Sequence, residues 1–131
     1  NAEELKLSQN ALKNYKSLQD IINTGDMYRL IAPYNNHHAA WMLTDKAKNK
    51  AVLYTYNLHT QLGDYFAPIQ FQGLDPNKKY VLKELNLENE NKPQLPQNGK
   101  SFSGDYLMKV GIPWFLNGSL KSSVIELTAI N

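Results

Sequence analysis

At Gly25 the spacing of apolar residues changes from a helical period to alternation, and this change confines the chain to one helix followed by an all-β domain. From Glu3 to Thr24 the apolar positions Leu5, Leu12, Tyr15, Leu18 and Ile22 fall on one stripe, while Lys6, Lys13, Lys16 and Asp20 lie mostly elsewhere. Glu3 and Glu4 oppose the positive dipole end in the first turn, and Gly25 fits a left-handed cap at the other end. Each Leu or Ile on such a stripe stabilises by about 1.5–3 kcal/mol when fully buried, so the helix requires a surface to dock on.

Beyond Gly25 the alternation places strands near Met27–Ala32, Ala39–Thr44, Val52–Leu58, Ala67–Gln72, Tyr80–Leu87 and Ser123–Ile130. Two of these alternate cleanly. Ala67, Ile69 and Phe71 oppose Pro68, Gln70 and Gln72, and Ile125, Leu127 and Ala129 oppose Val124, Glu126 and Thr128, so each should bury one face. Asp45 to Lys50 and Asp75-Pro76-Asn77-Lys78 read as hairpin connections, the second with proline where a type I turn accepts it. With no helix available for crossovers, the expected fold is mainly β: an antiparallel β-sandwich preceded by one amphipathic α-helix. Glu88 to Lys100 is poor in apolar residues and rich in Asn and Pro, which predicts an exposed excursion.

A chain of 131 residues suits a single domain with a real core. Its formal charge of +2 includes one arginine, Arg29, so the guanidinium forks that grip phosphates and guanines are almost absent and nucleic acid is not an expected partner. Lys46, Lys48 and Lys50 in one turn and Lys78 and Lys79 in another read as solvated tips. No apolar run reaches membrane-spanning length, so no membrane partner is expected. The lack of cysteine suits a reducing compartment, and the cytoplasm is the expected location. Asn1-Ala2 leads directly into the helix, which suggests a fragment of something longer.

Catalytic chemistry has little to work with. His37 and His38 are adjacent and would point to opposite faces of an extended chain, and His59 is remote, so no metal site and no cofactor is expected. Asp26, Asp64, Asp75, Asp105, Glu84 and Glu126 supply carboxylates without a spacing that pairs any two; an independent enzyme would need a pair such as Asp105 with Glu126 to line a pocket. The serines lack a Gly-x-Ser-x-Gly elbow. Arg29, inside a strand, reads as a structural tie rather than a clamp for a substrate carboxylate. Trp41, within Ala39-Ala40-Trp41-Met42-Leu43, reads as core. Trp114 and Phe115 after Pro113, with Tyr34, are the candidates for stacking on a sugar ring, against the alternative that they pack.

Four motifs in order carry a resemblance: Gly25-Asp26-Met27-Tyr28-Arg29-Leu30, then Ala39-Ala40-Trp41-Met42, then Gly73 through Tyr80, then Ser103-Gly104-Asp105-Tyr106-Leu107-Met108. Together they resemble the C-terminal portion of bacterial α-galactosidases of glycoside hydrolase family 36. The resemblance implies that residues 3–25 correspond to the last helix of a catalytic barrel and 26–131 to the β-sandwich behind it. It further implies a parent enzyme that hydrolyses terminal α-galactosides with retention, using two barrel aspartates. No catalytic position of the family maps onto a residue of this chain, so the fragment itself is expected to be inactive. Bracing of the barrel is its expected role, with the barrel as partner, galactosides met only through the parent, and pairing with a second copy as an outlet for the helix stripe. A carbohydrate-binding module is the alternative.

Overall fold

The structure, a computed structural model, describes residues 2–31, 38–57, 68–85, 94–113, 115–116 and 121–130. Helix α1 spans Ala2–Thr24 and is followed by β1 (Asp26–Ile31), β2 (His38–Thr44), β3 (Lys50–Asn57), β4 (Lys79–Leu85), β5 (Ser101–Ser103), the short α2 (Gly104–Lys109) and β6 (Lys121–Ile130). All six strands join one antiparallel sheet in the order β1-β2-β3-β6-β4-β5. The helix followed by an antiparallel β domain is the architecture expected from the change of period.

Register explains where the core lies. Met42 pairs with Leu53, and Leu53 with Ile125, while Leu127 pairs with Leu82, so one side chain from each strand falls on the same face. These four central strands bury that face against Ile69, Phe71, Leu74, Leu95, Leu107 and Ile112, which form the opposing layer. The opposing layer is irregular chain plus α2 among the described residues. Its anchor is the bridge between Ile69 and Ile112, whose N–H groups each donate to the other's carbonyl at 2.7 and 3.0 Å. Gly111 makes that approach possible: its φ is +79°, and a Cβ there would sit 1.9 Å from the Ile69 carbonyl oxygen.

Four expectations change. Ala67–Gln72 is not a strand over its described residues 68–72, because Ile69 bridges Ile112 while the Phe71 N–H donates to the Leu107 carbonyl of α2, and no ladder runs between. The alternation there is real, with Ile69 and Phe71 buried and Pro68, Gln70 and Gln72 exposed. The Asp75–Lys78 turn forms, its Lys78 N–H donating to the Asp75 carbonyl at 3.2 Å, but it leads from irregular chain into β4. Residues 94–100 are no free excursion. Leu95 is 1% exposed, and the segment is tied to β4 by Gly99 N–H to Leu82 O and Leu82 N–H to Lys100 O. Finally, Gly25 does not adopt a left-handed conformation. It serves close packing instead, since a Cβ there would meet the Ile21 carbonyl at 2.5 Å and the Thr44 carbonyl at 2.6 Å.

Strand β5 and helix α2 went unread in the alternation. The signal was present in Ser103-Gly104-Asp105: the Ser103 hydroxyl accepts from the Tyr106 N–H at 3.0 Å as an N-cap, Asp105 lies in the first turn and Lys109 in the last.

Candidate functional site

Helix α1 crosses the face of the sheet opposite the main core, against β2 and β3. Ile21, 4% exposed, packs there with Val52 and Leu85, flanked by Leu43, Tyr54 and Val124. Leu7, Asn10 and Ala11 are partly buried and continue the inward side. Leu12 lies nine residues before Ile21, about two and a half turns, and so points away from the sheet. Leu5, Leu12 and Tyr15 are accordingly 60%, 56% and 52% exposed. The helix is therefore apolar on two sides, and the stripe read from the sequence is in its described part the outward one. The side chains of Leu18 and Ile22 lie outside the described residues.

Beside the helix, Trp41 stacks on Tyr54 with ring centroids 5.7 Å apart and meets Tyr56 edge-on at 5.4 Å. Trp41 is half-buried on this outer face rather than in the main core, because its register puts Tyr54 opposite it on β3. Arg29 is the neighbour of Trp41 on the edge strand β1, and Met27, 58% exposed, lies two residues away on the same face. Arg29 is exposed and pairs with no carboxylate among the described residues. Burial, and secondarily the neighbouring Tyr15, pushes the Tyr54 hydroxyl above its ordinary pKa. Trp, Tyr and Arg gathered beside an outward apolar helix face have the composition of a protein contact surface.

Other candidate residues are dispersed. Phe115 is 7% exposed and packs in the main core, out of reach of a sugar at the surface. Trp114, Tyr34, His37 and His59 lie outside the described residues. Asp105 lies on α2, in the layer over the core face, and pairs with Lys109 at 3.0 Å. Glu126 points from the opposite face of the sheet and pairs with Lys50 at 3.7 Å. The two carboxylates are not brought together. His38 is buried on the core face, and no cluster of metal-ligating side chains occurs among the described residues.

Two buried polar arrangements are structural. The Glu84 carboxylate, on β4, accepts from the Leu95 N–H at 2.8 Å and from Gln94 Nε2 at 3.0 Å, and Gln94 also donates to the Ser122 carbonyl. Thr55 and Ser123 share a hydroxyl hydrogen bond of 2.7 Å between β3 and β6. The two lysine-bearing turns meet: Lys78 Nζ donates to the Ala47 carbonyl and to Asn49 Oδ1, and the Tyr80 hydroxyl donates to the Lys48 carbonyl at 2.6 Å. At least Lys78 is thus a staple rather than a solvated tip. A further pair escaped the sequence reading: Phe102 and Tyr106 stack at 5.5 Å and 14°, with Tyr106 exposed.

Residues 38–127 match the family described as the glycosyl hydrolase family 36 C-terminal domain. The chain is 32% identical over 118 residues to the α-galactosidase Mel36A of Lactobacillus acidophilus, covering 89% of this chain and 14% of that protein. It is 29% identical over 111 residues to the bifunctional α-galactosidase/sucrose kinase AgaSK of Mediterraneibacter gnavus, covering 85% of this chain and 10% of the relative. Among solved structures, the galactosidase domain of AgaSK superposes with a TM-score of 0.72 at 25% identity, over 91% of this chain and 15% of that one. The α-galactosidase of Lactobacillus brevis shares the fold with a TM-score of 0.73 at 20% identity, over 98% of this chain and 17% of that one. The chain therefore spans only a small part of the length of these relatives.

Proposed function

The chain belongs to glycosyl hydrolase family 36, matching its C-terminal domain, and we propose on that footing that it is the non-catalytic β-domain of an α-galactosidase, bracing the catalytic barrel. The parent would hydrolyse terminal α-galactosides with retention, by carboxylates outside this chain. The observation that carries the bracing role is the two-sided helix: Ile21 is fixed to the sheet while Leu5, Leu12 and Tyr15 stay open on the outward side. An apolar stripe of three large side chains is costly in water and contributes only when a neighbour covers it. The relatives are several times longer than this chain, which supports a larger parent, and the catalytic barrel implied by the family resemblance is the neighbour proposed to cover the stripe. Residues 3–25 then form the shared element between barrel and β-domain, and residues 26–131 the domain proper.

The test is made in the parent enzyme. Leu12→Asp combined with Tyr15→Asp should lower the thermal midpoint of the whole enzyme by several degrees, with KM for nitrophenyl α-galactoside unchanged, because the site chemistry is elsewhere. An unchanged midpoint would refute the bracing role. The chain alone should show no turnover of the same substrate, and robust cleavage by it would overturn the non-catalytic reading.

A further inference from the structure

The aromatic pair at the β5–α2 junction is built as a platform. Phe102 packs against the main core, so the stack stands on a fixed base. Tyr106, one helical turn later, lies over it at 5.5 Å and 14° and is 43% exposed. With one ring face against Phe102, the other face is the one on which a ligand would stack. Its backbone is pinned by the Ser103 N-cap, and Asp105 and Lys109 form an ion pair of 3.0 Å along the adjacent ridge, with both side chains well exposed. Gln70 Nε2 donates to the Lys109 carbonyl and fixes the end of the helix. Single surface tyrosines are ordinary. This one is preorganised, stacked from below, and flanked by one anionic and one cationic hydrogen-bonding group.

We propose that Tyr106 is a stacking platform for a galactose-type pyranoside, whose hydroxyls Asp105 accepts from and Lys109 donates to. The axial O4 of galactose leaves the hydrogens of C3, C4 and C5 together on the opposite face, an apolar patch that suits an aromatic ring. Hydroxyls around that patch need acceptors and donors at the ring's rim, which a carboxylate and an ammonium supply. Because the platform is already ordered, little conformational freedom is lost on binding. It lies in the layer opposite α1, so a partner on the outward helix stripe leaves it open. The choice of galactose rests on the α-galactosidase reading; the platform geometry does not.

The experiment is a titration of the 131-residue chain with methyl α-galactopyranoside, followed by amide chemical shifts. The expected result is a saturable shift confined to Asp105, Tyr106, Lys109 and their neighbours, with a dissociation constant in the millimolar range, ~1–10 mM. Tyr106→Ala should weaken binding at least about tenfold, with the remaining amide shifts in place to show that the fold survives. Lys109→Ala should weaken it less, and methyl α-glucopyranoside, whose O4 is equatorial, should bind several-fold more weakly. Absence of a saturable shift, its persistence in Tyr106→Ala, or equal binding of the glucoside would overturn the proposal. None of these outcomes touches the bracing role, which is read from the thermal midpoint of the parent.

Discussion

Replacing Gly111 with alanine should destabilise the domain far more than the same change at Gly99, although both residues have φ near +80°. A left-handed alanine costs about 1–2 kcal/mol, and both variants incur it. Both also gain the same small benefit from a stiffer unfolded chain, which cancels in the comparison. The two sites differ in their surroundings. At Gly99 nothing lies within 4 Å of the added Cβ, whereas at Gly111 it meets the Ile69 carbonyl oxygen at 1.9 Å and the Gln70 Cα at 3.0 Å. These are backbone atoms held by the Ile69–Ile112 bridge, so the methyl must break the bridge to fit. Two backbone hydrogen bonds at a net of about 1 kcal/mol each add ~2 kcal/mol. Gly111→Ala is therefore expected to lose ~3–4 kcal/mol against ~1–2 for Gly99→Ala, a large part of a typical domain stability of about 5–15 kcal/mol. Urea denaturation should separate the two midpoints by about 1 M for a slope of ~2 kcal/mol/M. Hydrogen exchange at the Ile69 and Ile112 amides should accelerate in Gly111→Ala alone. Equal stabilities, within ~0.5 kcal/mol, would refute the close-approach argument.

Glu84→Ala should cost about 2–4 kcal/mol, since it leaves the buried Leu95 N–H without an acceptor and frees Gln94; protection of the Leu95 amide should fall first, and undiminished protection would count against the latch. Alkali should destabilise the domain. Tyr54 and Tyr80 both have hydroxyls held above their ordinary value of 10.0, in each case chiefly by burial. A raised native pKa means that their contribution is fully present below pH 10 and is lost as pH rises through the native values. Tyr80→Phe should shrink that alkaline loss and, by leaving the Lys48 carbonyl without its donor, lower stability at neutral pH by about 1 kcal/mol.

What could be read in advance follows from how far apart the interacting residues lie. Helix α1 and strands β1 to β4 and β6 were legible because a 3.6-residue or two-residue period is a local pattern, and burial on one face follows directly from it. The side of α1 that docks was not. Leu5, Leu12 and Tyr15 make the richer apolar stripe, yet Ile21 is the residue on the sheet, because Gly25 lets the chain turn tightly against the Thr44 carbonyl and so sets the helix's rotation. That contact joins residues far apart in sequence and leaves no periodic trace. Ile69 and Phe71 illustrate the converse, since alternation marked their burial correctly while, among the described residues, only the Ile112 bridge pairs with them and no ladder forms. For the candidate surfaces, Arg29 and Trp41 were singled out by type, but their adjacency depends on β1–β2 register. The Phe102–Tyr106 stack was locally encoded, four residues apart across a Ser-Gly-Asp start, and went unread because α2 was too short to register as a helical period.

Strand β6 lies between β3 and β4, yet it follows all five other strands of this sheet in the sequence. On the ribosome, β1 to β3 can pair as a meander and β4 with β5 as a hairpin, but the two halves have no common seam until β6 emerges. Until then the inner edges of β3 and β4 carry unsatisfied backbone groups, a template for pairing with another nascent chain. Closure of the sheet thus waits for β6 and joins both halves in one step, and whatever shields those two edges until it emerges governs how much of the protein reaches its native form.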